Sequence, residues 1–107
     1  MISLELVKHH LRLELDENNQ DVYLSHLISS AVSAFEGTQN RTLLAADQTL
    51  PDPVGNAILL DASIIQGALL LIGHWYNNRE SVVLGISSAE LPFGTQYSWG
   101  KHKFNHL

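Results

Sequence analysis

The stretch Asp61-Ala-Ser-Ile-Ile-Gln-Gly-Ala-Leu-Leu-Leu-Ile-Gly-His-Trp-Tyr-Asn-Asn-Arg79 decides how this chain folds. Ala62, Ile65, Leu69, Ile72 and Tyr76 recur at alternating steps of three and four, which draws one stripe along an α-helix. Ile64, Ala68, Leu71 and Trp75 draw a second stripe beside it. Two apolar stripes leave little polar surface, so the helix is expected to be enclosed by other elements. Asp61 suits the N-cap, because its carboxylate can accept from the free N–H groups of the first turn. The stretch is too short and too polar for a membrane span, which needs about 20 apolar residues. Gly67 and Gly73 lie inside it at a cost of about 1 kcal/mol each against alanine. Close approach of another helix, where a side chain would clash, is the plain reading of such glycines. A functional kink is the alternative.

The remaining totals frame this helix. A chain of 107 residues suits one domain with a modest core, and oligomerisation is a natural source of further stability at that size. It has no cysteine, so it has neither a disulfide frame nor thiolate chemistry. The opening Met-Ile-Ser-Leu-Glu-Leu-Val-Lys8 lacks the apolar run of a signal peptide, which leads to the expectation of a soluble, non-secreted protein. The net charge of −5 falls on one half: residues 1–53 hold three Lys or Arg against eight Asp or Glu, and residues 54–107 hold three of each. Without a basic stripe, direct binding of nucleic acid by phosphate neutralisation is not expected.

Outward from the central helix, Ser3 to Leu13 reads as a short first helix capped by Ser3, with Leu4, Val7 and Leu11 as its apolar stripe. A polar connector follows, and Asn18 or Asn19 is expected to cap a second helix that buries Leu24, Leu27, Ile28, Ala31 and Phe35 and ends between Gly37 and Arg41. Residues 42–60 read as a long packed loop with room for a short strand or turn, since Pro51 and Pro53 forbid a continuous helix. After the central helix, Val82, Val83, Leu84 and Ile86 form an apolar strip bounded by Gly85 and serines. A monomer has little reason to hold such a strip outward, and a partner surface would give it one. Pro92 can open a last short helix at its first position. The expected architecture is all-α: a small bundle of three main helices plus a short C-terminal helix, with a long loop before the central helix and an extended arm after it. Residues 1–94 form the single helical domain, and 95–107 a divergent C-terminal tail free to move.

The run Gly67-Ala-Leu-Leu-Leu-Ile-Gly-His-Trp-Tyr-Asn-Asn-Arg-Glu-Ser-Val-Val83, followed by Glu90-Leu-Pro-Phe-Gly94, resembles the tailed-phage head–tail connector family of small head-completion adaptors. The opening Ile2-Ser-Leu-Glu-Leu-Val-Lys-His-His-Leu-Arg12 and the end of the second helix near Asn40-Arg-Thr-Leu43 are similar to it as well, so the resemblance covers most of residues 1–94. It implies a bacteriophage or prophage virion assembly protein. Such a protein forms a homo-oligomeric ring between the portal protein and a tail-side connector protein. DNA passes through the channel without specific binding, and no cofactor, catalysis or membrane is involved. The implied location is the head–tail junction, with assembly in the host cytoplasm. The departure lies at the end, where Tyr97-Ser-Trp-Gly-Lys-His-Lys-Phe replaces the family's apolar helix and Pro-Tyr-Arg-like tail, as in a divergent or decayed prophage copy.

The expected subunit interface consists of Trp75, Tyr76, Arg79, Glu80, Val82, Val83, Leu84, Ile86, Leu91, Pro92 and Phe93. For Trp75 and Tyr76 the competing reading is the chain's own core, and for Arg79 and Glu80 it is a solvated pair. Chemistry finds little footing. Ser25, Ser29, Ser30 and Ser33 have no base placed to activate them. His74 reads as an interior or interface histidine, with a pH-sensitive role as its alternative. His102 and His106 have zinc-like spacing but no intervening glutamate, and Gly100 argues against a rigid helix to carry them. No phosphate-cradling loop, acid pair or triad pattern is visible. Two other classes stay open beside the ring: a small α-helical adaptor or dimeric regulatory module with no ring, and a metal-dependent enzyme built on the histidines.

Overall fold

A computed structural model describes residues 2–16, 18–52, 54–77 and 91–103. The element order is α1 (Leu4–His10), α2 (Asp21–Gln39), β1 (Thr42–Leu44), β2 (Ala57–Leu59), α3 (Ala62–Asn77) and α4 (Phe93–Gly100). Ser3 caps α1 by accepting from the Leu6 N–H at 3.1 Å. Arg12 then adopts φ 62° and stops the helix: its N–H bonds the His9 carbonyl, and the Leu13 N–H reaches back to Lys8. This is the Schellman arrangement, here built on a non-glycine residue. The first helix is therefore shorter than the expected span to Leu13.

Helix α2 starts at Asp21 behind Gln20, which makes no side-chain cap bond, so neither Asn18 nor Asn19 plays the capping part expected of it. Helix α1 instead anchors this helix start through a side-chain pair. Lys8, 4% exposed, ion-pairs with Asp21 at 2.8 Å and also donates to the Leu15 carbonyl. One buried ammonium thus ties the start of α2 to α1. Helix α2 runs through Gly37 and ends where Asn40 enters the left-handed region at φ 56°, a conformation asparagine tolerates better than most residues. Leu24, Leu27, Ala31 and Phe35 are its buried face, as their spacing predicts, and Ile28, expected with them, is half-buried.

The segment read as a loop holds two three-residue strands. They pair in parallel with Thr42 opposite Ala57 and Leu44 opposite Leu59. The fold is accordingly mostly helical, with a small sheet in place of a wholly α architecture. β-branched and aliphatic residues flank a connector that contains Pro51, so pairing satisfies backbone groups that a helix could not. Glu36 of α2 accepts the Leu43 N–H at 2.7 Å and fastens β1 to that helix. Of the extended arm expected at residues 80–93, residues 80–90 lie outside the described residues; Leu91 is buried, Pro92 is the N-cap of α4 and Phe93 is its first residue.

Helix α3 is the centre of the core. Ile64, Gly67, Ala68, Leu69, Leu71, Ile72 and Trp75 are all buried, and the helix packs against α4, α2 and α1. The second apolar stripe is buried along its whole length, and the first only at Leu69 and Ile72. At roughly 1.5–3 kcal/mol for each large apolar side chain fully buried, this helix is the largest single contributor to the core. No described helix is long and apolar enough to cross a membrane.

Candidate functional site

The junction of α3 with α4 brings together Gly67 of the central helix and the Leu91–Phe93 stretch singled out by the sequence. Of the two helical glycines of α3, Gly67 is a point of close approach and Gly73 leaves room for an ordinary contact. A Cβ on Gly67 would lie 2.5 Å from Trp99 Cδ1. A Cβ on Gly73 would meet the His10 ring at 3.4 Å. Trp99 therefore lies against bare backbone, and its indole N–H donates to the Ile64 carbonyl at 3.0 Å. One turn earlier, the Thr95 hydroxyl donates to the Gly67 carbonyl at 2.8 Å. Gly94 lets the start of α4 approach Leu70, whose Cδ1 would stand 2.7 Å from an added Cβ. Pro92 sits at the N-cap, one position before the expected one. Its carbonyl accepts from the Gln96 backbone, and the Gln96 side chain donates to the Leu91 carbonyl at 2.7 Å.

These bonds fasten a stretch expected to be a tail. The boundary drawn at residue 94 runs through α4, whose Thr95 and Trp99 are fully buried. The spacing of Thr95 and Trp99 by four was the available signal, because it places both on one helical face.

Residues 101–103 are pinned as well. Arg41 donates from Nε to the His102 carbonyl at 2.7 Å, and the His102 ring stands edge-on to Phe35. At the start of α3, Asp61 caps as expected, accepting from the Ile64 N–H at 2.9 Å and from the Ser63 hydroxyl at 2.8 Å. Ser63 Oγ also meets His102 Nε2 at 2.7 Å. Because the hydroxyl donates to the carboxylate, it accepts from the imidazole, which assigns the proton to Nε2. Burial pushes the Asp61 carboxyl up. The Ile64 N–H, the Ser63 hydroxyl and the positive fields of His102 and Lys101 outweigh it and hold the group below the usual carboxylate value.

Serine, histidine and aspartate thus meet, but not as a relay. Asp61 Oδ2 lies 3.7 Å from the same Nε2 that faces the serine. A relay needs the carboxylate on the other ring nitrogen and the serine proton directed at the base. The cluster is a clasp between the N-terminus of α3 and the chain beyond α4. His102 is committed to that clasp, and His106 lies outside the described residues. Among the described residues no group of three or more His, Cys, Asp or Glu could hold a metal ion.

Of the expected interface residues, Trp75 and Leu91 are buried in the chain's own core, and Tyr76 is half-buried beside Tyr23 with ring centroids 6.4 Å apart. Pro92 is half-buried, and Phe93 is 83% exposed. Arg79, Glu80, Val82, Val83, Leu84 and Ile86 lie outside the described residues. His74 is exposed on α3. Tyr97 was not among the expected residues, yet it is 81% exposed on the same side of α4 as Phe93, one turn further on.

No curated protein and no solved structure matches the chain. The family model of the phage gp6-like head–tail connector protein matches residues 1–99, which takes in α4 to Trp99. That family is one of structural proteins of the phage head–tail junction. With nearly its whole length matched, and with the buried α3 and the α4 locked against it inside the match, this chain belongs to the phage gp6-like head–tail connector family.

Proposed function

We propose that this protein is a virion assembly subunit that forms an oligomeric ring at the head–tail junction, seated between the portal and a tail-side connector protein. The observation that carries the reading is the family match over residues 1–99. The mechanism is geometric. A rigid body sets the angle between neighbours, and one heterologous contact repeated around the axis closes a ring when the rotation permits. Rigidity comes from α3 and α4, joined by two buried side-chain hydrogen bonds and a tryptophan seated on glycine.

The neighbour contact is assigned to Arg79, Glu80, Val82, Val83, Leu84 and Ile86 together with Tyr76, Pro92 and Phe93. Trp75 and Leu91 act from beneath as buried supports. An Arg of this kind offers a planar fork to a neighbouring carboxylate. The acidic half of the chain flanks the DNA channel, where its charge keeps DNA sliding past without specific binding. Basic residues found lining that channel would contradict this last point. Assembly takes place in the host cytoplasm.

The test is the native mass of the full chain across a concentration series, with negative-stain imaging of the largest species. Ring-sized particles support the reading. A species that stops at monomer or dimer overturns it in favour of a small adaptor or dimeric module. Deleting residues 82–86 abolishes association while far-UV circular dichroism stays unchanged. Loss of helicity on that deletion would mean that the strip is core.

A further inference from the structure

We infer that the outer face of α4, carried by Phe93 and Tyr97, is a docking surface whose occupant is a second copy of this chain. The inference rests on the ring reading and deepens it by naming a surface that the copies use. Phe93 and Tyr97 are four residues apart, so their rings share one side of the helix. They are 83% and 81% exposed, and Thr95 and Trp99 on the opposite side are fully buried. The other described aromatic residues, Tyr23, Phe35, Trp75, Tyr76 and Trp99, are all buried or half-buried. Two exposed aromatic rings side by side are what a binding surface presents, since such rings supply contact area with few torsions to freeze.

Charge selects the occupant. Among the described helices, α4 alone carries no Asp, Glu, Lys, Arg or His. The whole chain has a net charge of −5, so two copies repel as they approach. The face adds no negative charge to that repulsion, and its row continues into the exposed C-cap Lys101, four residues past Tyr97, whose positive charge favours an acidic copy. A strongly basic partner would meet Lys101 with like charge. The backbone beneath is already fixed by the bonds from Thr95 and Trp99 and by the approach of Gly94 to Leu70, so docking orders only two side chains.

Area sets the strength. Two such rings offer about 300 Å² when covered. A stable pairwise interface takes about 800 Å² from each partner. The face is therefore one part of a larger contact. Alone it gives weak, concentration-dependent association, and once per copy in a closed ring it adds up.

The experiment compares the full chain with a Phe93→Ser/Tyr97→Ser variant by sedimentation velocity over a concentration series from micromolar to millimolar. Neither side chain is part of the core, so circular dichroism and the melting temperature stay as in the unaltered chain. Association weakens by about 100-fold or more. In a second measurement, Tyr97 is replaced by the photo-crosslinker p-benzoylphenylalanine in an otherwise native chain. Illumination gives a ladder in steps of 11.9 kDa. If the double variant assembles as the unaltered chain does, the α4 face is not the surface and the ring reading survives. If the unaltered chain never associates, both fall. If the unaltered chain associates but position 97 gives no crosslink to a second copy, a second copy is the wrong occupant of this face.

Discussion

Replacing Gly67 by alanine tests the locking of α4 onto α3 most directly. In an exposed helix the change gains about 1 kcal/mol from propensity. Here the new methyl would stand 2.5 Å from Trp99 Cδ1 and 3.1 Å from its Cε2. Trp99 is fully buried and cannot swing into solvent. The indole must retreat, at about 2–3 kcal/mol of overpacking. Retreat stretches its bond to the Ile64 carbonyl, and a buried N–H left without its acceptor costs about 1–2 kcal/mol more. Set against the propensity gain, the net loss is about 2–4 kcal/mol, which lowers the melting temperature by roughly 10–25 °C in a domain of this size. Gly37→Ala is the internal control. Gly37 is also helical, but an added Cβ there meets nothing within 4 Å, so that variant should gain about 0.5–1 kcal/mol. Urea and thermal melts followed by circular dichroism measure both. Should Gly67→Ala melt at or above the unaltered chain, as Gly37→Ala does, the α3–α4 packing described here is wrong.

Other perturbations probe the remaining joints. Asp61→Ala removes the cap of α3 and costs about 1 kcal/mol at neutral pH by urea melts. Because the folded state lowers this carboxyl's pKa, its stabilisation is present above the usual aspartate value of about 3.9 and is lost as pH falls through the lower folded value. The gap between Asp61→Ala and the unaltered chain should therefore narrow on acidification; a gap that widens in acid would refute the direction of the shift. Asp21→Ala strips the carboxylate from a nearly buried ammonium and should cost about 1–3 kcal/mol, more than Lys8→Met, which keeps the apolar stem and removes the charge. Equal losses in the two variants would mean that the ammonium left without its partner carries no extra burial penalty. Asn40→Gly should match or slightly exceed the unaltered chain in stability, and Asn40→Ala should lose about 1 kcal/mol, because φ 56° disfavours a Cβ.

What could be read from sequence alone was local in origin. The double stripe of α3 announced a helix covered on several sides, and Asp61 announced where it starts. Gly67 announced a place where something comes close. Ser3 as a cap, the buried face of α2 and the family resemblance were legible for the same reason: each depends on residues a few positions apart, whose spacing survives in the linear text. The arrangements that the sequence left undecided join distant positions. The hydroxyl of Thr95 meets the carbonyl of Gly67, Trp99 meets Ile64, and Ser63 meets His102. The pairing of Thr42–Leu44 with Ala57–Leu59 likewise spans a connector that carries no strand signal.

A periodic stripe says which face of a helix is apolar, but it does not say which surface will cover it. A glycine leaves a notch without naming the ring that fills the notch. For that reason residues 95–103 looked like a tail and became part of the body. Thr95 and Trp99 turn inward only because α3 offers them a bare backbone and two carbonyls. Once those two are committed, helical geometry leaves Phe93 and Tyr97 on the outside.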